Sequence, residues 1–398
     1  MTHRERMLAT IRRQSTDQIP WAPRMDLWYI AHRARGTLPA RFAGKNMVEI
    51  ADVLNVACHA VGADFTLTGR RDLSLRGLGM DNHQDYPYRT ELRGLPIQSQ
   101  DDDQELWTRI QTPAGGVFTH LHRTVEMAKD GISLPFVKSY ALRSIDDVEA
   151  VAQVFDHLEV IPTPEAYAAF HQRVGDRGIA VARGPIAASP MHLILHELVP
   201  MDQFFYLYMD ERDALYRLTE RMEPFFDAAL DALAACDAEV VFWGGNYDQD
   251  LTWPPFFEME IAPWLKKVSD RLHAAGKLLL THTDGENRAL LPLYPPCGFD
   301  VAESVCPSPM TQCTLAELRK EMGSRTTIWG GIPSVVLLDS SMEGRTFTGY
   351  MDDLFGSLGV GDRLILGVSD NVPPDVNLDR LERIKDWIAA FGPVRPLA

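Results

Sequence analysis

A (β/α)₈ TIM barrel with one β-rich insertion is the fold class this sequence predicts, on three observations. Eight apolar runs of strand length recur along the 398 residues. Segments with helical period separate most of them. The runs are near-continuous in apolar character rather than alternating, which marks strands covered on both faces in a parallel sheet. Eight such units favour a closed barrel over an open, doubly wound sheet.

In order, the expected strands are IPWAPRM (19–25), ADFTL (63–67), IAVARGP (179–185) and AEVVFWG (238–244). They continue with KLLLTHT (277–283), FDVAESV (299–305), TTIWGGI (326–332) and RLILGV (363–368). Helical period covers roughly 46–61, 144–175, 200–236, 255–275, 286–296, 314–322, 345–358 and 378–391. Residues 68–143, between the second and third strands, carry turns and short alternating runs such as YRTELRGLPIQ. They are expected to form a β-rich excursion laid over the barrel. No Gly/Pro/Ser linker flanks it, so 1–398 is expected to be one domain.

The 55 acidic against 39 basic residues give a net charge of −16, which argues against nucleic acid or an anionic membrane as partner. No run of about 18 apolar residues occurs, so no transmembrane helix is expected. The opening MTHRERMLATIRRQ is charged and helical, unlike a secretory signal. Five scattered cysteines without a CxxC pair read as reduced thiols. Together these predict a cytoplasmic protein.

In such barrels chemistry sits at the C-terminal strand ends. Strand one ends in Arg24, Met25 and Asp26; strand four runs into Trp243, Asn246, Tyr247 and Asp248. Strand five gives His282 and Asp284, strand six Glu303, and strand eight Asp370. Residues two apart on a strand share a face, so His282 and Asp284 look into one space. One histidine with several carboxylates suits a divalent cation such as zinc, with an open position for substrate. The plainer alternative is that His282 caps a strand while Asp284 opens a turn before Gly285. The MHLILHE stretch puts His192 and His196 one helical turn apart, but its apolar flanks point to a structural helix. His120 and His122 lie in the excursion, where a surface or lid role is expected.

The chain resembles the uroporphyrinogen decarboxylase superfamily, (β/α)₈ barrels that include cobalamin-linked, zinc-dependent methyltransferases. RERMLATIRRQSTDQIPW looks like that superfamily's first helix and strand. HTDG looks like its His-x-Cys-Gly strand end, and GVSDNVPPDVNLDRL like its closing Cys-x-x-Pro-Pro segment. The decarboxylase branch carries an Arg-Gln-Ala-Gly-Arg signature. The matching RMDLW keeps Arg24 but puts Asp26 in the way and Trp28 where the second arginine stands. The methyltransferase branch holds zinc with His, Cys and a later Cys; here His282 is kept while Asp284 and Asp370 stand at the cysteine positions.

A His-plus-carboxylate set is harder than a thiolate set and suits an oxygen ligand. The resemblance therefore implies methyl transfer from a methoxy or other methylated small molecule to a corrinoid (cobalamin) carried by a partner protein, an O-demethylase-type activity. It implies zinc on His282, Asp284 and Asp370, with Glu303 as fourth ligand or proton donor. Trp28, Tyr29, Trp243 and Tyr247 would wall the substrate; Arg24, Asn246, Asp248 and Asp26 would bind, orient or act on it. The outer helices leave room for a homodimer. A metal-free decarboxylase and a non-catalytic small-molecule-binding barrel are the rival readings.

Overall fold

The computed structural model describes residues 1–102, 104–132 and 134–396. It is a mixed α/β fold around a six-stranded, wholly parallel sheet. The strands Ala182–Arg183, Val240–Gly245, Leu278–His282, Val301–Val305, Thr327–Pro333 and Leu364–Ser369 lie side by side in chain order. Helices such as Arg212–Ala235, Ala262–Ala274 and Gly344–Gly356 make the crossovers, as parallel neighbours require. The last five strands are buried at nearly every position, which is why their sequences lack alternation.

Six of the eight expected strands are therefore present, and two are not. ADFTL forms a 3₁₀ turn, Ala63–Thr66, closed by the Thr66 hydroxyl on the Ala63 carbonyl at 2.6 Å. IPWAPRM makes one isolated bridge, Trp21 to Leu366, because Pro20 and Pro23 lack the N–H a ladder needs. Chain still runs along both sheet edges, at residues 20–22 on one side and, ahead of ADFTL, at 57–60 on the other. Ala22 N–H donates to Leu366 O at 2.8 Å, Ala57 N–H to Trp21 O at 2.8 Å, and Val181 N–H to Ala60 O at 2.9 Å. A compact apolar cluster draws on Ala22, Val61, Val181, Phe242, Leu280 and Trp329, with Val301 and Ile365 beside them, so the last five strands and the stretches around residues 22, 61 and 181 contribute to it.

Two helical expectations also break at proline. The stretch 144–175 splits into Val148–Asp156, a strand Leu158–Pro162 and the helix Pro164–Val174. The stretch 286–296 makes only the 3₁₀ turns Leu291–Leu293 and Pro295–Cys297. Within 68–143 the strands Ile97–Asp101, Glu105–Thr112, Gly115–His122 and Phe136–Ser139 form an antiparallel sheet, and Tyr88–Leu92 pairs with Leu158–Pro162. Among the described residues no helix is long and apolar enough to cross a membrane.

Candidate functional site

Parallel register puts His282 directly beside Glu303 on the next strand. Their side chains meet, with His282 Nδ1 2.5 Å from Glu303 Oε2. The other Glu303 oxygen lies 2.9 Å from His59 Nε2, and the His59 ring packs edge-on to Trp329 at 4.9 Å. Both oxygens of Glu303 are thus taken by imidazoles, and its carboxyl is 2% exposed, a charge that must be matched to be buried. Burial works against that charge, but His282 and His59 outweigh it and hold the Glu303 pKa far below the ordinary range. With both oxygens engaged by imidazoles, Glu303 sets the orientation of the His282 ring.

With Nδ1 held, Nε2 of His282 faces the carboxylates. Asp284 Oδ1 is 3.4 Å from it and Asp370 Oδ1 is 3.8 Å away. Asp284 Oδ1 is buried without a hydrogen-bond partner. Asp370 receives Arg24 Nη1 on both oxygens, at 2.9 and 3.2 Å, and the Ser304 hydroxyl at 2.9 Å. Burial opposes the Asp370 charge, yet Arg24 and His282 lower its pKa. Burial likewise opposes a charged His282, but Asp284 and Glu303 raise its pKa well above the usual histidine value.

Arg24 is the clamp of this end of the sheet. Besides Asp370 it donates to Asp26 at 2.9 Å, and its guanidinium lies 4.0 Å over the Phe65 ring. Asp26 also takes the Asn371 amide at 2.8 Å. Arg24 and Asp26, expected to handle substrate, both line a cavity at this end of the sheet and are bonded to each other, Arg24 also to Asp370. Asn246 sits at φ +61° just past its strand, a left-handed conformation asparagine tolerates better than most residues, with Nδ2 2.6 Å from His196 Nε2. The His196 Nδ1 side meets Glu197 at 2.9 Å, and Glu197 pairs with Arg76 at 2.6 Å.

These groups open on a cavity of about 550 Å³, lined by His282, Asp284, Asp370, Asn246, His196 and Arg183 among others. The expected aromatic wall is not there. Trp28, Tyr29, Trp243 and Tyr247 are 1%, 5%, 0% and 0% exposed and pack in the hydrophobic core. Their polar atoms are used inside it: Tyr29 Oη on Lys45 O, Trp243 Nε1 on Ala188 O, and Tyr247 Oη with Thr281. Asp248 is a brace, accepting from the backbone N–H of Asp250 at 2.9 Å and of Glu286 at 3.0 Å.

Residues the sequence did not single out do line the site or support it: His59, Ser304, Arg76 and Arg183. His196 was expected to be structural along with His192. His192 is so, its Nδ1 accepting from Ala188 N–H at 3.1 Å. His196 sits on a π-helical turn, Ile194–Leu198, that swings it to the cavity. Such turns are frequent at functional sites. The spacing of the two histidines was the available signal.

For a cation, the donor types fit and the arrangement fits in part. Two ligands about 2.1 Å from zinc at a tetrahedral angle stand roughly 3.4 Å apart. The His282 Nε2 to Asp284 Oδ1 distance matches, and the Asp284 oxygen is buried with no hydrogen-bond partner to compete for it. Asp370 is shared with Arg24, and among the described residues no three His, Cys, Asp or Glu side chains are drawn together as a ready metal cage.

The chain is similar in structure to a methyltransferase from Methanosarcina mazei, with a TM-score of 0.53, 14% sequence identity, and coverage of 98% of this chain and 99% of that one. At that identity the likeness is one of fold. A mandelate racemase/muconate lactonizing enzyme-like protein from Rubrobacter xylanophilus DSM 9941 aligns at TM-score 0.24 and 10% identity over 75% of this chain and 77% of that one, too distant to carry weight. No protein-family model matches the chain, and no curated protein does.

Proposed function

We propose that the protein is a metal-dependent methyltransferase. It would move a methyl group from a methoxy or other methylated small molecule to a corrinoid (cobalamin) carried by a partner protein in the cytoplasm. The observation that carries the reading is the His282 Nε2–Asp284 Oδ1 pair, 3.4 Å apart on the cavity wall, with the carboxylate oxygen unsatisfied and Asp370 at 3.8 Å. The fold shared with a methyltransferase supports the same class. So do the hydrogen bonds that join residues 20–22 and 57–60 to the two sheet edges, which we read as the two irregular staves of a (β/α)₈ barrel.

Zinc, when bound, would supply a Lewis acid that stabilises negative charge on the oxygen the methyl group leaves. The chain's own residues do the rest. His282, Asp284 and Asp370 would hold the cation. Glu303 and His59 keep the imidazole oriented, with Nε2 toward the cavity. Arg24 and Ser304 fix Asp370. Asn246, backed by His196 and Glu197, offers a polar edge beside the substrate space.

Metal content by plasma mass spectrometry on untagged protein, beside His282→Ala and Asp284→Asn, tests this. About one zinc per chain in the wild type, lost in both variants, is expected. No metal in the wild type after zinc is offered would sink it. A metal-free decarboxylase is the second reading, favoured by five arginines around the cavity. It ranks lower because Arg24, Arg71, Arg76 and Arg123 are each paired with a carboxylate.

A further inference from the structure

The fifth cavity arginine differs from the other four. Arg183 ends the edge strand Ala182–Arg183, and its guanidinium lies 3.9 Å over the face of the buried Phe242 ring and 5.5 Å from the Phe65 ring. Among the described residues no carboxylate comes within 4.0 Å of it, and it donates no side-chain hydrogen bond. The nearest acid by effect is Asp64. Burial raises the Asp64 pKa, but Arg183 and Arg71 outweigh that and lower it. The Asp64 Oδ1 atom is engaged by the Tyr86 hydroxyl at 3.1 Å. Stacking on aromatic faces fixes the guanidinium plane and leaves its N–H edge free, the form in which arginine grips a planar oxyanion.

Arg183 also stands at a useful distance from His282. It pairs in register with Phe242, which pairs with Leu280, two residues before His282. Two strand spacings amount to about 10 Å between the backbones. A flat molecule of benzene-ring size can lie across that gap with one end at each residue. Six carboxylates line the cavity against five arginines, so a singly charged group is tolerated there better than a doubly charged one.

We propose that Arg183 anchors a carboxylate of the substrate, so that the methylated molecule is a monocarboxylate whose methyl-bearing end is directed at His282. This rests on the methyltransferase reading for what happens at that second end, and on Arg183 alone for the anchor.

Calorimetric titration of the full-length protein with 4-methoxybenzoate, and with methoxybenzene as its uncharged counterpart, tests it. Arg183→Met is expected to weaken 4-methoxybenzoate at least about tenfold, as loss of a charge-assisted pair implies, and to leave methoxybenzene unchanged. Arg183→Lys keeps the charge without the fork and should fall between. It decides the matter if Arg183→Met does not fold by circular dichroism. Equal binding by wild type and Arg183→Lys would then overturn the anchor. So would no binding of 4-methoxybenzoate by the wild type, methoxybenzene binding as tightly, or phenylphosphonate binding more tightly than the carboxylate. Zinc content measured on the same samples separates the two readings. Normal zinc with an unaffected Arg183→Met fails the anchor alone. Absent zinc with a tenfold loss fails the metal chemistry alone.

Discussion

Replacing Arg24 by Met removes one cation that serves two carboxylates. Asp26 is 4% exposed and Arg24 8%, and the pair is bonded at 2.9 Å. Asp370 loses both contacts from Arg24 Nη1 and keeps the Ser304 hydroxyl. Breaking a buried pair by removing one partner costs about 3–5 kcal/mol, because the remaining charge is left uncompensated. At about 2.1 cal/mol/K of unfolding entropy per residue, 398 residues give about 0.8 kcal/mol/K. The expected loss is then about 4–6 °C in Tm by calorimetry at pH 7, with a matching fall in the urea midpoint.

The pH dependence sharpens this. Asp370 has its pKa lowered in the folded protein: burial raises it, and Arg24 and His282 more than offset that. Such a group contributes stability that is present above its unfolded pKa of about 3.9 and is lost as pH falls through the lower folded value. Arg24→Met gives up most of that contribution in advance. The stability gap between wild type and variant should therefore narrow as pH drops from 7 toward 3. A Tm change under 1 °C, or a gap that widens on acidification, would refute the view of Arg24 as the clamp of this site.

Trp243→Ala should destabilise by about 3–5 kcal/mol through a core cavity, with zinc content per folded chain unchanged; loss of substrate affinity without loss of stability would return the residue to the substrate wall. Gly244 has φ +74°, and a Cβ there would press on the Tyr247 hydroxyl and lie 2.8 Å from the Ala188 Cβ, so Gly244→Ala should cost about 1–3 kcal/mol in urea unfolding. His59→Ala leaves Glu303 with one imidazole and is expected to weaken zinc about 10–100-fold in competition with a chelator, while His59→Gln retains more of it. In chelator-stripped protein, NMR should find His282 still protonated above pH 7, since burial opposes its charge but Asp284 and Glu303 override that. The charged form adds stability below the unfolded value of about 6.5, and that is lost as pH rises through the higher folded pKa. Titration of His282 at or below pH 6.5 would show the two carboxylates do not act on it.

What could be read from the chain divides along a physical line. The Leu278–His282 and Val301–Val305 strands were legible because full burial leaves an apolar run in the sequence, and because a polar residue at the end of such a run is conspicuous. His282, Asp284, Glu303 and Asp370 come from that signal, and the structure brings the three carboxylates within 4 Å of the His282 ring nitrogens. The same signal misled at Trp243 and Tyr247. An aromatic next to a polar strand end has the same sequence appearance whether it faces the cavity or the helices outside. Here Trp243 packs on Phe226 of the covering helix at 5.9 Å.

His59 and Arg183 were illegible for the opposite reason. His59 lies in a segment with no strand pattern, tied to its neighbours by backbone hydrogen bonds such as that of Ala57 N–H to Trp21 O. Nothing local announces that it ends beside a residue 244 positions away. Arg183 sits inside a strand that was correctly expected, yet its meaning depends on what is missing around it. Arg24, Arg71, Arg76 and Arg123 look the same in the sequence, and each has a carboxylate partner in space. Only the three-dimensional pairing leaves one guanidinium over. Composition made the chain an unpromising host for an anion at −16 net charge, but a ligand at Arg183 meets the local field, not the sum. The sum matters at longer range, where it slows an anion's approach and is screened within about 10 Å at 0.1 M salt. The on-rate of 4-methoxybenzoate should therefore rise with ionic strength while its off-rate, set by Arg183, changes little.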